Sequence, residues 1–130
     1  MPNIEPEPAD IAGFWVGEID DSSWCMQLAE DASVRYLSVI PKVNEFGVAV
    51  AGEYMNIVAN GSYTLEPGGR LTLELTAMGV TNRMPLLLAQ VSADKMVYYE
   101  SQENDRTKFI SRRVDSCNGF FEKHQSSGSA

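Results

Sequence analysis

Short runs of Val, Leu, Ile, Thr and Tyr recur along this chain, and polar turn residues separate them at short intervals. The clearest run is 70–77, in which Leu71, Leu73 and Leu75 alternate with polar residues. Such alternation places the leucines on one face of a β-strand and the polar side chains on the other. No convincing helix-length period accompanies these runs, so the chain is predicted to be all-β.

Nine segments combine strand-forming residues with flanking turn signals and are predicted to be β-strands. A sheet of this many strands tends to close on itself or to split into two layers, because strand twist accumulates and open edges aggregate. The predicted strands are residues 14–19, 24–30, 34–40, 46–57, 62–66, 70–77, 86–92, 96–101 and 107–114.

Short polar connections separate the predicted strands. Asn60-Gly61 is the strongest two-residue hairpin signal, and Pro67-Gly68-Gly69 provides a fixed φ followed by residues that tolerate a positive φ. Hairpins throughout favour an up-and-down order, whereas an immunoglobulin-like sandwich needs longer crossover connections. We therefore predict a single antiparallel up-and-down β-barrel of about eight or nine strands.

The 130 residues suffice for one hydrophobic core and are too few for two. Residues 1–9 are acidic and rich in proline, and we expect them to form a flexible arm. The barrel domain is predicted to span residues 10–117. Residues 118–130 end in a polar, serine-rich stretch and are predicted to be a C-terminal tail.

The chain is strongly acidic, with a formal net charge of −8 at pH 7. This charge repels phosphate backbones and anionic membrane surfaces, so neither nucleic acid nor membrane is a predicted partner. The longest apolar run, 84–89, is too short to span a bilayer. Because the first residues lack the pattern of a secretory signal, the predicted location is cytoplasmic. A homodimer is left open.

Cys25 and Cys117 are the two cysteines of the chain. A disulfide between them would tie an early strand to the C-terminal segment and would need an oxidising compartment. Buried, reduced cysteines that behave as small apolar side chains are the alternative.

No self-sufficient catalytic or metal-binding motif is present. A glycine-rich phosphate loop, a Gly-x-Ser-x-Gly elbow and a Cys/His cluster with ligand spacing are all missing from the sequence. The acidic stretches Asp20-Asp21 and 103–105 are predicted to be solvated turns rather than Ca²⁺ sites. Neither a cofactor nor a metal is predicted.

The segment Gly13-Phe14-Trp15 resembles the opening strand of the calycin superfamily, which includes the lipocalins and the fatty-acid-binding proteins. The resemblance implies that Trp15 covers the closed end of the barrel and that an Arg of the last strand, Arg112 or Arg113, stacks on it. Haem-binding barrels of the same broad class need a late axial histidine. His124 is the only histidine and lies beside the polar tail, so haem is not predicted.

Aromatic and methionine side chains are the predicted walls of an internal cavity. Only alternate residues of a strand face inward, so Tyr98 and Tyr99 cannot both line it. The predicted ligand-binding residues are Trp24, Met26, Tyr36, Tyr54, Tyr63, Met84 and Tyr98.

Three carboxylates, Glu18, Glu53 and Glu100, lie within otherwise apolar strands. A carboxyl group that faces an apolar interior can acquire a raised pKa suited to proton transfer. Alternation can equally direct each of them to solvent, and a shift of one residue in register exchanges the two outcomes.

Three functions are compatible with such a barrel. The first is binding of a small, largely hydrophobic molecule inside it, toward the end opposite Trp15. The second is a cofactor-independent enzyme, such as a cyclase or isomerase of natural-product biosynthesis, which works by positioning and electrostatics. The third is a protein-interaction module with a packed interior. An inward proton-donating or proton-accepting group would favour the enzyme over the binding protein.

Overall fold

The computed structural model describes residues 6–19, 22–100 and 108–121. One short helix, α1 (Pro8–Ile11), precedes eight β-strands. The strands are β1 (Gly13–Ile19), β2 (Ser22–Leu28), β3 (Ser33–Val43), β4 (Ala49–Glu66), β5 (Arg70–Ala77), β6 (Val80–Val91), β7 (Lys95–Glu100) and β8 (Lys108–Val114).

The strands form one closed antiparallel barrel in sequence order, and β8 pairs with β1 to complete it. Closure leaves the barrel without the open sheet edge that invites aggregation. The predicted all-β, up-and-down barrel of about eight or nine strands is confirmed, and it has eight.

The predicted hairpin at Asn60-Gly61 is wrong, because β4 runs through these residues without turning. Gly61 pairs with Val34 on one side and with Leu75 on the other. A Cβ atom at Gly61 would collide with the backbone carbonyl of Glu74. The glycine therefore permits β4 and β5 to approach closely at this point. Close approach of a neighbouring backbone is one of the usual reasons for a glycine inside a strand.

A hairpin turn that the sequence analysis missed connects β5 to β6. Met78 and Gly79 both have positive φ, at 53° and 79°, as a type I′ hairpin turn requires. Methionine is an unusual residue at such a position, and its side chain is 92% exposed. Strand β6 consequently begins at Val80 instead of the predicted residue 86.

Apolar side chains form two clusters, one inside the barrel and one on its outer face. The inner cluster contains Trp15, Trp24 and Leu73 together with other inward residues of the strands. The outer cluster packs Phe120 of the C-terminal segment against Leu37 and other residues of the outer face. The C-terminal segment thus covers part of the outer surface.

Cys25 and Cys117 form a disulfide, which resolves the alternative that the sequence left open. The bond attaches the C-terminal segment to the outer face of β2, beside Phe120. Structural disulfides are typical of proteins that fold in an oxidising compartment. The cytoplasmic location stays a prediction.

The proposed domain boundaries also stay predictions. Residues 1–5 of the expected arm and residues 122–130 of the expected tail lie outside the described residues, as do Asp20-Asp21, residues 103–105 and His124. Within the described part of the arm, Pro8 begins α1, and the Glu7 amide donates a hydrogen bond to Asp10 Oδ2 at 2.8 Å.

Candidate ligand-binding cavity

One end of the barrel is closed by α1 and by Trp15 of β1. Trp15 is completely buried, and its indole N–H donates a hydrogen bond to the carbonyl oxygen of Ile11 at 2.9 Å. The Arg113 guanidinium carbon lies 4.3 Å from the centroid of the indole ring. The same guanidinium donates hydrogen bonds to the carbonyl oxygens of Asp10, Ala12 and, through Nε, Ala93. It joins the helix, β1 and the β6–β7 turn in one closed floor.

Alternation along β8 places Arg113, rather than Arg112, on the inner face beside Trp15. Arg113 pairs with Trp15 across the β1–β8 seam, whereas Arg112 pairs with Val16, whose side chain belongs to the outer face. Gly13 makes room for the guanidinium, because a Cβ atom there would collide with Arg113 Nη1. The Gly-x-Trp spacing is thus explained by a contact with the last strand.

A cavity of about 220 Å³ opens at the opposite end of the barrel. Its walls are aromatic rings and apolar side chains, with a few polar groups among them. The lining residues are Ile19, Ser22, Trp24, Met26, Tyr36, Ser38, Ile40, Leu73, Met84, Leu86, Tyr98, Glu100 and Phe109.

A buried polar cluster centred on Ser111 holds two residues of the cavity wall, Trp24 and Tyr98. Ser111 is completely buried, and its hydroxyl lies 2.9 Å from the Tyr98 hydroxyl and accepts a hydrogen bond from the Trp24 indole N–H at 3.2 Å. Phe109 stacks on Tyr98 with ring centroids 5.6 Å apart and meets Trp24 edge-on at 5.9 Å. These contacts fix the rings in place, because each polar atom that would be costly to bury has a partner.

The two tyrosines of the cavity stay neutral over a wide pH range. Burial raises the pKa of Tyr98 to about 12, although the hydrogen bonds with Ser111 and Trp24 act in the opposite direction. Burial also raises the pKa of Tyr36, and the nearby Tyr98 and Glu100 add to the effect. At neutral pH both phenols are therefore protonated, and the Tyr98 hydroxyl is hydrogen-bonded to Ser111.

The raised pKa of Tyr98 predicts an alkaline loss of stability. The folded-state pKa of about 12 lies above the ordinary value of 10, so the neutral phenol stabilises the fold fully below pH 10. That contribution, about 2–3 kcal/mol, is lost as the pH rises from 10 to 12. Urea unfolding of wild type and Tyr98→Phe across this interval measures it. We expect the free energy of unfolding to fall less steeply in the variant, and parallel pH profiles would contradict the assignment.

The structure brings five of the seven predicted ligand-binding residues together. They are Trp24, Met26, Tyr36, Met84 and Tyr98. Tyr63 faces inward but lies toward the floor, where its hydroxyl donates a hydrogen bond to the Ala29 carbonyl at 2.7 Å. Tyr54 pairs with Pro41 and packs in the outer cluster, so it is directed away from the interior.

One of the three carboxylates left undecided by the sequence reaches the cavity. Glu100 pairs with the buried Leu86 and lines the cavity. Glu18 is exposed and borders a groove on the outer face. Glu53 is exposed as well and lies 3.8 Å from the Lys42 ammonium. Solvent exposure of Glu18 follows the alternation of β1, whereas Glu53 is exposed although it alternates with the outward-facing Tyr54.

Phe109 and Ser111 were missed as site residues by the sequence analysis. The sequence does contain a signal for them, because Phe109, Ser111 and Arg113 are every second residue of β8 and therefore share one face. Once Arg113 is assigned to the floor, the two-residue period of a strand places the other two on the inner face. The serine carries no sign of burial by itself, since serine is mostly an exposed residue.

Other surface features lie outside this cavity. A groove of about 540 Å³ on the outer face contains both Glu18 and Arg112. Phe46 and Met78, at the tips of the β3–β4 and β5–β6 hairpins, are 79% and 92% exposed. Among the described residues, no group of three or more His, Cys, Asp or Glu side chains is arranged to hold a metal ion. None of the helices in the described ranges has the length and apolar character to cross a membrane.

Comparison with known proteins yields no relative: no protein-family model, no curated protein and no solved structure matches the chain. The class of protein therefore follows from the structure. It is a small closed barrel of eight antiparallel strands, consistent with a calycin-like barrel, with a floor at Trp15 and a cavity at the other end.

Proposed function

We propose that the barrel binds a small, largely hydrophobic molecule in its interior. The observation that supports this proposal is the cavity of about 220 Å³ at the end opposite Trp15, walled by Trp24, Tyr36, Tyr98 and Phe109. Aromatic walls with a few convergent polar groups are typical of sites for small ligands. An interaction module, by contrast, needs only a packed interior.

The volume of the cavity limits the size of the ligand. Engineered apolar cavities of about 150 Å³ take up benzene, so about 220 Å³ suits a molecule with one ring and a short substituent. Affinity would come chiefly from removing the apolar surface of the ligand from water. The neutral phenol of Tyr36, which has no hydrogen-bond partner among the described residues, is available to orient it.

Filling the cavity should weaken binding strongly. Ser38→Phe places a ring in the space that the ligand would occupy, since Ser38 lines the cavity. We expect wild type to bind propylbenzene with a dissociation constant of the order of 0.1 mM. Isothermal titration calorimetry should show that the dissociation constant for propylbenzene is about tenfold higher, or more, in Ser38→Phe than in wild type.

The matched control is Val58→Phe, which adds a ring to the outer face of the neighbouring strand, where Val58 is 41% exposed. This variant should bind propylbenzene as wild type does. Equal affinity of Ser38→Phe and wild type would refute binding in the interior. Thermal unfolding of both variants verifies that each one folds.

Membership in the calycin superfamily is part of the same proposal. The features that support it are the Gly13-x-Trp15 segment, the stacking of Arg113 on Trp15, and the up-and-down strand order. In such barrels the closed floor is structural, which leaves the opposite end for function.

A cofactor-independent enzyme, a cyclase or isomerase, is the second candidate. The observation that favours it is the presence of titratable side chains, those of Tyr36, Tyr98 and Glu100, in a largely apolar cavity. Neutral phenols can stabilise a developing negative charge on a bound carbonyl by donating hydrogen bonds. Conversion of a bound molecule, rather than its release unchanged, distinguishes the enzyme from the binding protein.

A further inference from the structure

The charge of the cavity lining is one-sided. Among the lining residues that the structure describes, Glu100 is the single acidic side chain, and none is Lys, Arg or His. The phenols of Tyr36 and Tyr98 are neutral there because burial raises the pKa of each. A ligand with a carboxylate or phosphate would thus meet one acidic side chain and no basic one among the described lining residues.

Glu100 lies on the same face of β7 as Tyr98, two residues further toward the mouth. Its carboxylate forms no ion pair with any described residue. The nearest lysine across the β7–β8 pair, Lys108, is opposite Tyr99, on the outward side of the strand. The negative charge in the cavity is therefore not neutralised from within the described part of the protein.

Aromatic rings lie beneath this carboxylate. The Phe109 ring contacts both Trp24 and Tyr98, with centroids 5.9 Å and 5.6 Å apart respectively. Tyr36 is close enough to Glu100 for the carboxylate to affect its ionisation. Aromatic faces attract cations electrostatically, and a carboxylate beside them adds a charge-assisted hydrogen bond. The net charge of −8 further attracts cations to the molecule.

We propose that the ligand is an organic amine, with an apolar body that fills the cavity and a protonated amino group that binds the Glu100 carboxylate at the mouth. This inference rests on the proposed binding function and names the chemical class of the ligand. It predicts selection by charge as well as by shape, because an anion would bring an unpaired charge next to Glu100.

Three ligands of similar size separate charge from shape: 2-phenylethylamine is a cation at pH 7, propylbenzene is neutral and phenylacetate is an anion. By calorimetry at low salt, we expect the amine to bind about tenfold tighter than propylbenzene, and the anion to bind most weakly. Glu100→Gln should weaken amine binding about tenfold and leave propylbenzene binding unchanged. Glu18→Gln, which removes an exposed carboxylate of the outer face, is the matched control and should alter neither.

The possible results distinguish this inference from the function on which it rests. If propylbenzene binds and the amine binds no tighter, or if Glu100→Gln leaves amine affinity unchanged, the amine class is wrong and the binding function stands. If wild type binds none of the three, both proposals are overturned. A thermal unfolding midpoint of Glu100→Gln equal to that of wild type verifies that the variant is folded, so that any loss of affinity reflects the missing carboxylate.

Discussion

Trp15→Ala is expected to lower the free energy of unfolding by about 3–5 kcal/mol, the range found when large buried side chains are truncated. The indole is completely buried and donates a hydrogen bond to Ile11. Its removal leaves a cavity beneath Arg113, whose guanidinium is held over the ring at 4.3 Å. The floor would lose its central contact, so α1, β1 and β8 should lose their contacts with one another in the same unfolding step.

Urea unfolding monitored by far-ultraviolet circular dichroism measures the effect. Phe46→Ala is the matched control, because Phe46 is also a large aromatic residue but is 79% exposed at a hairpin tip. Its expected change is within about 0.5 kcal/mol of zero. A Trp15→Ala protein as stable as wild type would show that this ring is not the floor of the barrel.

The second large effect is expected from the disulfide. Replacing Cys25 and Cys117 by serine together should cost about 2–5 kcal/mol, because the bond closes a loop with a sequence separation of 92. The cost arises mainly in the unfolded chain, which gains freedom when the cross-link is absent. In addition, the C-terminal segment should detach more readily, since Phe120 would be held on the outer face by packing alone.

Two measurements test this prediction. Denaturant midpoints with and without dithiothreitol should differ for wild type and coincide for the double variant. Limited proteolysis should cut within 115–121 faster in the double variant, whereas the strands should stay protected. A wild-type midpoint that does not respond to reduction would show that the bond does not stabilise the fold.

The fold class was predictable because it depends on features that short stretches of sequence carry. Alternation at Leu71, Leu73 and Leu75 fixes one face of β5 regardless of the rest of the chain. The Gly13-x-Trp15 spacing is likewise visible within three residues, although the guanidinium that explains it comes from the last strand. Both signals can be recognised without knowledge of which strands pair.

The predictions for Gly61 and Tyr54 failed because strand pairing, which the sequence alone does not reveal, determines the conformation or direction of these residues. Gly61 has the sequence signature of a turn, yet contact with Glu74 on the neighbouring strand makes it a strand residue. The direction of Tyr54 follows from the same continuity of β4, because an unbroken strand places Tyr54 and the inward-facing Tyr63, nine residues apart, on opposite faces. Neither the close approach nor the continuity of the strand can be recognised from the residues beside Gly61 alone.

The site was predictable to the same extent. The residue type alone predicted Trp24, Tyr36 and Tyr98 as lining residues, because large amphipathic side chains are common in cavity walls. It could not find Ser111, a small polar residue whose burial depends on two partners from other strands. Glu100 was a candidate whose direction required the register of β6 against β7.

The position of the ligand tests the central claim most directly. Carbon-13 labelling of methionine methyl groups gives signals inside and outside the proposed site: Met26 and Met84 line the cavity, whereas Met78 is exposed at a hairpin tip. On addition of propylbenzene, the Met26 and Met84 signals should shift with a common dissociation constant, and the Met78 signal should not. Binding detected by calorimetry that shifts Met78 and leaves Met26 and Met84 unchanged would contradict a ligand site inside the barrel.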